Sequence, residues 1–205
     1  ARILEMNSKS GLYPLYMAYS LYAMKLPGPE DKLPLEQTQA LWQETVEQQI
    51  FVLCKTRMAE SITRRTLVGY QDWTVNTTYI PHLLERMEKD PQRLAKKLQR
   101  TDTWGKEGQP MKFDAIVGNP PYQEMDGGNN ASAVPLYQLF MEQAILVEPH
   151  YISMIMPARW YSGGRGLDKF RSEMLNDERL CKMMDFSDSN DCFPGVDIAG
   201  GVCYF

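Results

Sequence analysis

The sequence is poor in cysteine and histidine, has no surplus of positive charge and contains no long hydrophobic run. Its four cysteines, Cys54, Cys181, Cys192 and Cys203, are widely spaced with no C-x-x-C pair, and only His82 and His150 could assist them. That is the usage of reduced, buried thiols and not of a disulfide framework or a zinc site, so no metal is expected. No apolar stretch reaches the roughly 18 to 20 residues of a membrane helix, and no charged-then-apolar leader opens the chain. Neither membrane insertion nor secretion is indicated, and the cytoplasm is the expected compartment. With 22 Lys and Arg against 26 Asp and Glu, the formal net charge is −4. A broad basic surface is thereby excluded, and any nucleic-acid partner must be gripped locally or by another domain.

What is present describes one globular domain: 205 residues, 43% hydrophobic and 23% charged, enough for a core and too apolar for disorder. Strand-like runs open the chain at Ala1-Arg2-Ile3-Leu4-Glu5 and close it at Gly201–Phe205, so a piece of a longer polypeptide, cut at both ends, is expected. Between them, short apolar runs alternate with segments of helical period, the pattern of a mostly parallel sheet with crossover helices. Strands are predicted at Arg2–Met6, Ile50–Cys54, Phe113–Gly118, Tyr151–Met156, Lys182–Phe186 and Gly201–Phe205, with a weaker one at Trp73–Val75. Helices are predicted over Tyr13–Lys25, Leu35–Gln48, Met58–Gly69, Tyr79–Lys97, Pro135–Val147 and Leu167–Leu175. Leu26–Pro34 reads as a surface connection, and Glu85–Arg100 as a solvated helical face in preference to a nucleic-acid patch.

Ligands of open α/β sheets bind outside the carboxyl ends of the strands, where strand order reverses. After Phe113–Gly118 comes Asn119-Pro120-Pro121-Tyr122, a polar amide locked by two prolines and followed by an aromatic. This arrangement suits methyl transfer to a planar, conjugated NH2 group, whose nitrogen lone pair is poorly nucleophilic. The Asn119 side-chain carbonyl and the Pro120 peptide carbonyl, the latter aimed by a backbone of fixed φ, are two acceptors for the two amine hydrogens. Held in this way, the nitrogen moves towards tetrahedral geometry, and positioning takes the place of a general base. Tyr122 supplies a flat face for the ring that bears the amine, an interaction worth about 1–3 kcal/mol for a nucleobase. The plain alternative is a rigid proline turn leaving the sheet.

The run Asn119–Tyr122 resembles motif IV, the catalytic loop of N6-adenine DNA methyltransferases; the same four residues occur in methyltransferases of protein glutamine and of guanine N2 in RNA. The first strand and its turn, Ile3-Leu4-Glu5-Met6-Asn7-Ser8-Lys9-Ser10-Gly11, followed by Leu12-Tyr13-Pro14-Leu15-Tyr16, resemble the variant motif I of methylase domains in large restriction-modification proteins of the type IIG and helicase-linked kinds. Set against the family pattern, Glu5 falls on the acid, Ser10 on the serine, Gly11 on the final glycine and Lys9 where a glycine is usual. The second strand, which in such enzymes ends in a ribose-binding carboxylate, here ends in Cys54-Lys55-Thr56. Near the third strand, Asn76 or Asp102 would accept from the cofactor's adenine amine, or both are turn and cap residues.

The resemblance implies an α/β, Rossmann-like S-adenosylmethionine-dependent methyltransferase fold, with a mostly parallel central sheet flanked by helices and residues 1–205 forming a single catalytic domain. It implies S-adenosyl-L-methionine as cofactor, bound by Glu5, Asn7, Ser10, Gly11, Asn76 and Asn119, and catalysis by Asn119, Pro120, Pro121 and Tyr122. Residues 192–202 resemble motif VIII, from which Phe193 is either the second wall of the adenine pocket or a core residue. Glu124–Asn130 is expected to be a flexible loop closing over a flipped base. Ser162-Gly163-Gly164-Arg165-Gly166 is either a phosphate contact through its amides or a connecting turn. The expected function is methyl transfer to adenine N6 in double-stranded DNA, as the modification part of a restriction-modification system. Most DNA contacts are then expected from a target-recognition domain outside this chain, with nuclease or helicase domains possible in the full-length protein. The alternatives are a protein-glutamine or RNA amino-methyltransferase, and a non-catalytic, degenerate scaffold.

Overall fold

The computed structural model describes residues 1–28, 33–123, 134–164 and 166–205. Seven strands form one sheet in the order β3-β2-β1-β4-β5-β7-β6. These are β1 (Ile3–Ser8), β2 (Ile50–Cys54), β3 (Asn76–Tyr79), β4 (Ala115–Gly118), β5 (Tyr151–Pro157), β6 (Met184–Phe186) and β7 (Val202–Tyr204). The first five are mutually parallel, while β7 inserts antiparallel between β5 and β6. The mostly parallel α/β sheet expected from the sequence is the one the chain adopts.

Strand alternation sorts the core into two halves. Leu4 and Met6 of β1 and Phe51 and Leu53 of β2 face a large cluster. It is built with α4 (Leu83–Lys89), α5 (Pro91–Gln99), α6 (Tyr137–Val147), the single turn α7 (Arg159–Ser162) and α8 (Asp168–Leu175). On the opposite face, Ile50, Val52 and Cys54 pack on α1 (Leu12–Ala23), α2 (Leu35–Gln49) and α3 (Arg57–Val68). Covered on both faces, β2 is buried at all five positions, which is why it reads as an unbroken apolar run and its predicted bounds hold. At the centre of the larger cluster Phe51, Trp104 and Phe113 meet edge to face, with centroids 5.4 to 6.1 Å apart. The Trp104 indole donates to the Leu98 carbonyl at 2.9 Å, so its one polar atom is satisfied.

Two expectations need correction. The third strand lies at Asn76–Tyr79, beyond the predicted Trp73–Val75, because the β-formers Thr77, Thr78 and Tyr79 pair with β2 while Trp73 packs beside the α1–α3 cluster. The single helix predicted over Tyr79–Lys97 is two helices. Asp90 leaves helical geometry at φ −149°, its carboxylate accepts from the Arg93 amide at 3.2 Å, and Pro91 opens α5, an N-cap followed by proline at the first helical position. The charged side chains of Glu85–Arg100 are exposed, as expected of a solvated helical face, and α4, α5 and the turn Thr101–Trp104 form along it an open groove of about 580 Å³ lined by Arg86, Lys89, Arg93, Lys96, Lys97 and Arg100.

Asn76 is also placed differently from its expected role. It starts β3, at the end of the sheet opposite the strand termini where ligands bind, and is fully buried. Its side-chain amide donates to the carbonyls of Val46, Glu47 and Ile50 at 3.3, 3.0 and 2.8 Å, which fastens the turn from α2 into β2. Replacing it orphans those carbonyls. Asn76→Ala is therefore expected to lower the unfolding free energy by about 2–4 kcal/mol in chemical denaturation, with cofactor affinity in the folded protein unchanged.

Candidate active site

Strand order reverses between β1 and β4, both of which run towards the same edge. Their ends come unusually close. A Cβ at Gly118 would lie 3.2 Å from the Met6 carbonyl oxygen, so the glycine lets the chain pass β1 and deliver Asn119-Pro120-Pro121-Tyr122 to the mouth of the crevice. Asn119 is exposed and Pro120 buried. Tyr122 is half-buried against the larger cluster, and its hydroxyl, buried with no hydrogen-bond partner among the described residues, has a pKa pushed well above the phenol range by desolvation. The loop is tied back where Gln123 bridges Pro135 and the Leu136 amide donates to the Tyr122 carbonyl at 3.2 Å. The expected flexible loop, Glu124–Asn130, lies outside the described residues.

A cleft of about 1060 Å³ opens over these strand ends. Asn119, Pro120, Pro121 and Tyr122 form one wall. Phe193 stands in another, beside Val196 and Ile198. That segment is braced by Ser189, whose hydroxyl accepts from the Ile198 amide at 2.9 Å and donates to the Val196 carbonyl at 2.6 Å. The β1 side contributes Asn7 and Lys9. Asn7 is 5% exposed, sits at φ +80° and has a side-chain NH2 with no partner among the described residues. A non-glycine residue in that conformation, with a buried donor left free, marks a place where structure is spent on a ligand.

The other sequence-predicted binders are not brought to the cleft. Ser10 is exposed and offers its carbonyl to the Thr66 hydroxyl at 2.9 Å. Gly11, at φ +77°, is needed for packing: a Cβ there would come within 2.8 Å of the Thr63 Cα on α3. The neighbouring helix is what requires glycine at this position. Asp102 pairs with Arg100 on the rim of the basic groove. Cys54 is buried, its thiol pushed up to about 12 mainly by desolvation, while the neighbouring Lys55 faces the cleft. At the glycine-rich 162–166 segment, the carbonyls of Gly163 and Gly164 accept from Arg171 at 2.6 and 3.5 Å; Arg165 lies outside the described residues. Among the described residues no three His, Cys, Asp or Glu side chains gather as a metal site, and no helix is long and apolar enough to cross a membrane.

Sequence reasoning missed the fourth wall: Tyr79, Ile80, His82, Leu83, Glu85 and Glu88. His82, at φ +54°, turns the chain from β3 into α4. A signal existed, since Ile80-Pro81 cannot continue a helix from Tyr79, but the misplaced third strand hid the fact that these residues follow a strand end.

Residues 48–193, more than half of the chain, match the family model of the Eco57I restriction-modification methylase. The chain belongs to that family. The matched span contains the whole Asn119–Tyr122 loop and ends on Phe193, while β1 and its turn precede it. An uncharacterised adenine-specific methylase of Mycoplasma pneumoniae is 42% identical over 100 residues, which cover 46% of this chain and 23% of that protein. The Eco57I-family chain therefore spans under a quarter of the curated relative it matches. Solved structures share the fold at low identity. The DrdV–DNA complex superposes with a TM-score of 0.58 at 13% identity over 100% of this chain and 23% of its own. A modification subunit of a putative type I restriction enzyme from Vibrio vulnificus gives 0.55 at 14% over 100% and 40%. A type I restriction-modification assembly gives 0.55 at 11% over 99% and 37%.

In β1, Glu5 is 4% exposed, with Oε2 unpartnered among the described residues. Burial raises its pKa from 4.5 to about 8, against a smaller opposing contribution from the Ser8 hydroxyl. Between those values the unfolded chain has released a proton that the folded chain retains, so this contribution to stability is complete below about pH 4.5 and is lost as pH rises through about 8. The unfolding free energy is expected to fall across that window by an amount on the order of a few kcal/mol. Glu5→Gln should flatten this dependence in denaturation curves taken at pH 5, 6.5 and 8; an unchanged slope would exclude Glu5 as its source.

Proposed function

We propose that this chain is the catalytic domain of an S-adenosylmethionine-dependent DNA adenine-N6 methyltransferase, the modification part of a restriction-modification protein. The observation that carries the proposal is the delivery of Asn119-Pro120-Pro121-Tyr122 to the β1–β4 crevice, in one cleft with the unpartnered buried amide of Asn7 and the ring of Phe193. Family membership and the adenine-specific relative support the reaction; the DNA complex among the fold neighbours supports the partner. The relatives are much longer than this chain, and we assign residues 1–205 to a single domain within such a protein, with target recognition and any nuclease or helicase activity residing elsewhere.

The residues fit the cofactor. The Asn7 NH2 is a buried donor with no protein acceptor among the described residues, and the cleft slightly exceeds the roughly 300–1,000 Å³ of single-ligand pockets, leaving room for cofactor and base together. Asn7 would hold it from the β1 side of the crevice, facing the Asn119 loop that binds the acceptor, and when bound it supplies an electrophilic methyl group. The chain's own part is to bind and orient the acceptor. The side-chain oxygen of Asn119 and the carbonyl of Pro120 accept the two hydrogens of the adenine amine, which localises the nitrogen lone pair and fixes its direction. The rings of Tyr122 and Phe193 hold the extruded base between them and offset part of its unstacking cost of a few kcal/mol.

Duplex DNA incubated with the complete protein and labelled cofactor is expected to acquire label on adenine N6, read by nucleoside analysis; label on RNA or protein alone contradicts the proposal. Asn119→Ala should abolish turnover with cofactor and DNA affinity little changed. Tyr122→Ala should lower both rate and target affinity, and weaken the 2-aminopurine fluorescence that reports base extrusion. Tyr122→Phe should retain most activity, since the hydroxyl lies buried without a partner among the described residues and only the ring is used.

A further inference from the structure

The strands lay out the cleft from one side to the other. Neighbouring strands are about 4.7–4.9 Å apart, and the order β4, β1, β2, β3 places Asn119 first, then Asn7 and Lys9, then Lys55, then Tyr79 and Ile80. Charge is divided across this layout. The β1–β2 side carries the two ammonium groups of Lys9 and Lys55, and the α4 side the carboxylates of Glu85 and Glu88. Lys25, Lys89 and Lys169 close on Glu44, Glu85 and Glu173, whereas several exposed lysines, Lys96, Lys97, Lys112 and Lys182 among them, form no ion pair among the described residues. Lys9 and Lys55 are likewise unpaired there, and they are the two lysines that line the cleft holding Asn119.

Lys9 follows Asn7 on the same turn. An ammonium and a buried, unpartnered amide N–H are donors only, and a donor-only pair selects an anion with two acceptor oxygens. We infer that Lys9, together with Asn7, holds the amino-acid carboxylate of the methyl donor, which makes Lys9 a positioning residue for the transfer. This rests on the methyltransferase reading above. Reach decides between the two lysines. The donor's sulfur must face the amine held by Asn119, and only a short aliphatic chain separates that sulfur from the carboxylate. The carboxylate therefore belongs on the strand beside β4, which is β1; Lys55 follows β2, one strand further, where the adenosine half must lie. The opposite wall offers an anion no unpaired cation among the described residues: Lys89 is taken up by Glu85, and the Glu88 carboxylate repels. On this account the residue that replaces a glycine of the family pattern is a substitute grip on the ligand and not a defect in the loop.

The test compares two probes, S-adenosylhomocysteine and its decarboxylated analogue, by titration calorimetry on the complete protein. Wild type is expected to favour the carboxylate-bearing probe by about tenfold, the value of one charge-assisted hydrogen bond. Lys9→Met should remove that preference by weakening S-adenosylhomocysteine alone, and Lys9→Arg should restore most of it. Lys55→Met should leave the ratio of the two affinities intact. Lys9 is exposed, so the fold should survive substitution, which a thermal melt will show. An unchanged ratio in Lys9→Met, or its collapse in Lys55→Met, overturns the role of Lys9 and leaves the methyltransferase reading standing. Wild type that binds neither probe removes both.

Discussion

The site depends on one steric fact: two parallel strands whose ends nearly touch. With the Met6 carbonyl 3.2 Å from where a side chain at Gly118 would begin, a larger residue there would require the β1 backbone to give by a few tenths of an ångström. The glycine thus keeps the end of β4 close against β1, beside the cleft that both Asn7 and Asn119 line. The parallel pairing of β1 with β4 holds the register, while the two prolines and the Gln123–Pro135 bridge hold the loop beyond it. Pre-organisation of this kind is what the proposed transfer, which relies on positioning the amine, calls for.

How far the sequence could be read follows from where physical signals are local. The Asn119–Tyr122 loop was legible because proline restricts its own backbone and its neighbour's, whatever surrounds it. Strand β2 was legible because burial on both faces leaves only apolar residues. Gly11 shows the limit: the glycine is visible in sequence, whereas the atom that forbids its side chain, on α3, is not. Asn76 failed for the same reason, since its three acceptors are brought to it by the turn between α2 and β2. Lys9 is the reverse case, a departure from pattern that acquires meaning only when the cleft shows which groups surround it.

The electrostatics repeat this theme. A net charge of −4 says nothing of its distribution, and the fold separates it sharply. Two lysines face the cleft beside β1 and β2, and six basic side chains line the groove of α4 and α5, three carboxylates interspersed among them. Glu5, buried in β1, has its pKa raised from 4.5 to about 8 by desolvation. Composition alone averages these into an unremarkable acidic chain.

The break at Asp90–Pro91 also makes α4 a separable part. The helix is seven residues long, enters from the left-handed turn at His82, leaves through a cap and sets one side chain, Met87, deep in the core. Its remaining residues furnish most of one wall of the cleft, whereas the stability of this flank rests on α5, with Leu94, Ala95 and Leu98 buried. Substitutions of the exposed α4 carboxylates Glu85 and Glu88 would therefore change the charge of this wall while leaving its core contacts through Leu83, Leu84 and Met87 in place.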